Sequence, residues 1–106
     1  MIEKPNLSYI HSLSGGDKTF EKKLITILKT EFPVEKKLYE KNIKSNNFIE
    51  SAENVHKLKH KISILGLIKS YEIASEFENN LKESNISLKD DFDDIMQNIT
   101  NYLNTL

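Results

Sequence analysis

Breaks are what this chain lacks. Only three glycines and two prolines occur in 106 residues, and two of those glycines are adjacent in "LSGGDKTF". With so few points where the backbone can turn sharply, long helices are favoured over many short strands. The apolar residues agree. After Gly16, Asp17 is placed to cap a helix whose Phe20, Leu24, Ile27, Leu28 and Glu31 follow at steps of three and four, with Leu38 further on. Pro33 either kinks this helix or opens a new one as its first residue. In "SNNFIESAENVHKLKHKISILG" the same spacing links Phe48, Ala52, Val55, Leu58, Ile62 and Leu65. Gly66 interrupts it, and Leu67, Tyr71, Ala74, Phe77 and Leu81 set the core face of the next helix. A final helix runs through "SLKDDFDDIMQNITNYLNTL", with Ser87 as its cap, acids in its first turn, and Phe92, Ile95, Met96, Ile99 and Leu103 facing inward. A short helical turn from Leu7 to Leu13 precedes them all. The expected fold is all-α: an antiparallel four-helix bundle with a short additional N-terminal helix, in one domain over residues 1–106.

Composition narrows the function more by exclusion than by indication. Hydrophobic residues make up 38% and charged residues 29%, the balance of an ordinary globular domain. The fifteen basic residues, all lysine, offset sixteen acids, so no overall field draws the chain to nucleic acid or to an anionic membrane. Any electrostatic function has to be local. There is no cysteine, which removes disulfides, thiolate metal ligands and cysteine nucleophiles together. "MIEKPNLSYI" has no apolar signal core and no stretch approaches a membrane span, so a soluble, cytoplasmic chain is expected.

The chemistry concentrates in "NVHKLKHKISILGL", where His56 and His60 lie one helical turn apart among Lys57, Lys59 and Lys61. At about 100° per residue, His56 projects from the flank of the core stripe, with Lys59, His60 and Ser63 following on the same side. Histidines at this spacing can share a cation, yet three lysines repel a divalent ion, and Glu53 is the one nearby acid on this helix that could join them. No metal is expected. Ammonium groups suit the opposite kind of ligand. They disfavour a second positive charge on a neighbouring imidazole, leaving its lone pair available, and they balance a phosphoryl group once it is attached.

"VHKLKHKISILGL" resembles the signature of histidine-containing phosphotransfer (HPt) domains, in which a phosphorylated histidine precedes a Leu-Lys pair and, further on, a Leu-Gly. His56 falls on the phosphoacceptor, Leu58 and Lys59 on the Leu-Lys pair, and Leu65-Gly66 on the closing pair. "LSGGDKTFEKKLITILKTEFP" is similar to that family's Leu-x-Gly-Asp start and long second helix, and "EIASEFE" to its downstream helix. His60 stands where the family usually has glycine, and Lys61 where it often has serine. The His60 ring either crowds the approach of a partner or donates a hydrogen bond to the phosphoryl oxygens.

The resemblance implies a phosphorelay intermediate. His56 would take a phosphoryl group from the aspartate of a receiver domain, in a response regulator or a hybrid histidine kinase, and pass it to another receiver, with Lys59 as charge partner. The protein would need no cofactor of its own, because the receiver supplies Mg²⁺. Ile10, Leu13, Ile49 and Ser63 are the candidate docking residues, although packing in the core is the competing reading of the three apolar ones. A degenerate bundle that binds a receiver without accepting phosphate is the alternative, and a metal-binding site at His56 and His60 is a distant third. No ATP-binding loop occurs, so autophosphorylation is not expected. His11 is read as a solvated residue without a partner, and the acids at 90, 91, 93 and 94 as first-turn charges rather than a calcium loop.

Overall fold

The computed structural model describes residues 3–106. Five helices account for most of them: α1 (Ser8–Ser14), α2 (Lys18–Lys44), α3 (Phe48–Ile64), α4 (Ile68–Leu81) and α5 (Lys89–Leu103), with no strand among the described residues. Helix α2 packs on α3, α3 on α4, α4 on α5, and α5 returns to α2, while α1 lies against α2. The connections 45–47 and 65–67 are too short for anything but a reversal between packed neighbours, so α2, α3 and α4 alternate in direction.

Local chemistry explains most boundaries. The Asp17 carboxylate accepts from the backbone N–H groups of Thr19 (3.0 Å) and Phe20 (3.1 Å), capping α2 as its sequence suggests. Pro33 neither starts nor ends a helix, because α2 is continuous through it. Ser87 does not cap α5. The Asn85 side chain accepts from the Ser87 N–H (2.9 Å), and the turn it closes delays the helix to Lys89. Helix α4 has no capping side chain of its own; Glu3 supplies one from the far end of the sequence, accepting from Lys69 N–H (2.9 Å) and Ser70 N–H (2.7 Å). Asn98 of α5 donates to the Glu3 carbonyl (2.8 Å), and Asn6 N–H donates to Leu65 carbonyl (2.9 Å), clasping this segment across the α3–α4 turn.

The core of α3 and α5 is the one expected, with Val55, Leu58, Ile62, Phe92 and Ile99 fully buried. Helix α2 differs. Its buried residues are Glu21, Leu28, Phe32, Tyr39 and Ile43, whereas Phe20 (40%), Ile27 (47%) and Leu38 (47%) are exposed. The helix carries two apolar stripes about 100° apart on the helical wheel, and the one with the larger aromatics faces inward. Tyr39 and Phe92 meet edge to face with centroids 5.0 Å apart, and Phe77 stands 5.2 Å from Phe92. Burying these rings removes more apolar surface than the Phe20–Leu38 stripe would.

Candidate functional site

Helix α3 holds His56 on its outer side, beside α4. The His56 side chain remains 55% exposed, while its Nδ1 lies 3.2 Å from Oε2 of Glu78 on α4. A carboxylate can only accept here, so Nδ1 carries a proton, and in the neutral ring the lone pair is therefore on Nε2. Glu78 is nearly buried and holds three partners at once. Lys59 Nζ approaches its Oε1 at 3.0 Å and Lys82 Nζ its Oε2 at 3.8 Å. Burial alone would raise the Glu78 carboxyl, but the hydrogen bond and charge of Lys59, joined by those of His56, hold it below the usual carboxylate range. The carboxylate therefore stays ionised and fixes the imidazole in one tautomer and one orientation.

The lysines expected to surround the histidine divide their duties. Lys59 turns inward, its side chain only 14% exposed, with Nζ on Glu78 and 5.3 Å from the Tyr71 ring centroid. Lys61 turns to α2, pairing with Glu31 (3.1 Å) and Glu35 (3.3 Å). Lys57 stays exposed beside His56. His60 is exposed too, its ring perpendicular to that of His56 with centroids 5.1 Å apart. Below His56, Ile49 and Ala52 line a groove of about 550 Å³ walled by Glu78 and Lys82.

Of the expected docking residues, Ile49 (55%) and Leu13 (54%) are exposed, and Ser63 is exposed on the His56 side of α3. Ile10 is not available. It is fully buried where α1 packs on α2, so it serves the core instead of a docking surface. Tyr71 is also corrected, since 37% of it is exposed as it covers Lys59. His11 has a partner after all: its Nδ1 lies 3.1 Å from Glu21, whose carboxylate also accepts from Ser14 Oγ (2.7 Å). Those bonds, the one from Ser14 above all, carry the Glu21 carboxyl down to about 2. Asp93 accepts from Tyr39 Oη (2.9 Å) and Lys89 Nζ (2.6 Å), so this acid is structural. Among the described residues, no cluster of three potential metal ligands forms.

Sequence reasoning missed Glu78 as a site residue. Its signal was in "EIASEFE", where Glu78 follows the core position Phe77 and flanks the buried stripe of α4 as His56 flanks that of α3. The site is thus a solvent-facing imidazole on a helical bundle, anchored from behind by a carboxylate and a lysine. Comparison of the chain with family models, curated proteins and solved structures found no match.

Proposed function

We propose that this protein is an HPt-like phosphorelay intermediate in which His56 accepts a phosphoryl group from the aspartyl phosphate of a receiver domain and returns it to another receiver. The observation that carries this reading is the His56–Glu78 contact at 3.2 Å, which selects for the neutral ring the tautomer whose lone pair is on Nε2, on an exposed side chain. The all-helical bundle and the order of its helices are compatible with the HPt resemblance.

In the transfer step, Nε2 forms a bond to phosphorus as the bond from phosphorus to the aspartate oxygen breaks, and the aspartate leaves as a carboxylate. The Nδ1 proton stays in place. The phosphorylated ring then carries positive charge opposite Glu78, which keeps the group transferable onward. Lys59 acts by positioning Glu78, an indirect counterpart of the direct charge-partner role that the resemblance implies. Ile49 and Leu13 offer exposed apolar contacts to the receiver, and the receiver brings its own Mg²⁺. This chemistry belongs in the cytoplasm, where receiver domains and hybrid kinases meet.

The test is incubation with a phosphorylated receiver. Acid-labile, alkali-stable label on the wild type that disappears with His56→Gln supports the relay. Stable complex formation without label, for wild type and His60→Gly alike, would replace it with a receiver-binding module.

A further inference from the structure

We infer that His60 holds the phosphoryl group on His56 and sets its lifetime, an inference that rests on His56 being the acceptor. Lys59 is already engaged inward with Glu78 at 3.0 Å and shielded by Tyr71, so its charge is directed to the Nδ1 side of His56. Lys61 is spent on Glu31 and Glu35. Two exposed groups next to His56 are left as donors for the Nε2 side, Lys57, which borders the groove below His56, and His60. His60 is one turn further on the same face, exposed, with its ring centroid 5.1 Å from that of His56. No hydrogen bond ties its ring nitrogens to another described residue. A rotation of this ring is enough to bring an N–H to a phosphoryl oxygen attached to its neighbour.

Loss of the group passes through a loose transition state in which phosphorus separates from the ring nitrogen before water is firmly bonded. The electron pair of the Nε2–P bond returns to the ring, so negative charge on the phosphoryl oxygens falls as the bond breaks. A donor on those oxygens stabilises the intact phosphohistidine more than the transition state and slows its hydrolysis.

The experiment uses phosphoramidate as donor, from which ammonia leaves as the Nε2–P bond forms, and follows the phosphohistidine by ³¹P NMR after the donor is removed. The variants are His60→Ala, His60→Gln and His56→Gln, each checked for helix content. His60 is exposed, so its truncation spares the core. The expected result is label confined to His56, a half-life shortened about tenfold in His60→Ala, and partial recovery in His60→Gln, whose amide can donate. Equal half-lives in wild type and His60→Ala overturn the inference and leave the acceptor intact. Faster labelling of His60→Ala with an unchanged half-life makes His60 a steric gate and overturns it as well. Absence of label on the wild type, or label that survives His56→Gln, overturns the acceptor assignment itself.

Discussion

Removing the Glu78 carboxylate tests how the histidine is anchored. Lys59 Nζ and Glu78 Oε1 are 3.0 Å apart, with 14% and 12% of their side chains exposed. An exposed ion pair contributes about 0.2–1 kcal/mol, and a hydrogen bond to a charged group removed from water about 1.5–3 kcal/mol. The residual exposure places this contact near the bottom of the second range, at about 1.5 kcal/mol. Glu78→Gln preserves shape and Lys59→Met preserves the aliphatic stem, so a double-mutant cycle with the two isolates their coupling from the bonds Glu78 makes to His56 and Lys82. Urea unfolding at pH 7, monitored by circular dichroism, supplies the four free energies. The pH dependence has a fixed sign. Because the folded Glu78 carboxyl titrates below its ordinary value, the coupling is complete above the unfolded-state pKa and is lost as pH falls through the lower folded one. In the phosphotransfer assay, Glu78→Gln should slow labelling of His56 because an amide no longer enforces the Nδ1–H tautomer. A coupling below about 0.5 kcal/mol, or one that persists unchanged at acidic pH, would refute the picture of a nearly buried, ionised anchor.

Two further outcomes follow from the ends of the bundle. Gly66 has φ +75°, and a Cβ there would lie 2.6 Å from Asn6 Nδ2 and 2.9 Å from its Oδ1, the atom that accepts from Ser8 N–H. Gly66→Ala should cost about 2 kcal/mol, roughly half from the left-handed backbone and half from displacing Asn6, and about 1 kcal/mol when introduced into Asn6→Gly; urea midpoints that show equal costs in both backgrounds would contradict this. Glu21 titrates at about 2 when folded against an ordinary 4.5, so its contribution is whole above 4.5 and declines as pH falls toward 2. The gap in urea midpoint between wild type and Glu21→Gln should narrow over that interval, and a constant gap would remove Glu21 as the lock between α1 and α2.

The helices were legible because their signals are local. Asp17 caps, Gly66 interrupts, and the spacing from Phe92 to Leu103 faces one side whatever the remainder of the chain does. The choice between two apolar stripes on α2 is not local. Phe20, Ile27 and Leu38 have helical spacing as regular as that of Leu28, Phe32 and Tyr39, and only the fit of Tyr39 between Phe77 and Phe92 decides which set is buried. The candidate site divides in the same way. His56, Lys59 and His60 share one turn of one helix and could be read together, whereas Glu78 enters from α4, 22 residues away, and gains meaning only when α3 and α4 pack. His11 was misread for that reason too, since its partner Glu21 lies on another helix.

The clasp formed by Glu3 sets an order of events during synthesis. The chain emerges from its N-terminus, yet Glu3 cannot engage Lys69 and Ser70 until α4 exists, and its carbonyl waits a further interval for Asn98, 95 positions downstream. Most other helix pairings join neighbours in sequence and can form as soon as the second partner is made. The segment around Glu3 is therefore fully fastened only after α5, made much later, is in place. A nascent chain halted before α5 would hold the Glu3–Asn6 segment by its contacts at α4 and the α3–α4 turn alone, and completion of α5 is what secures it fully.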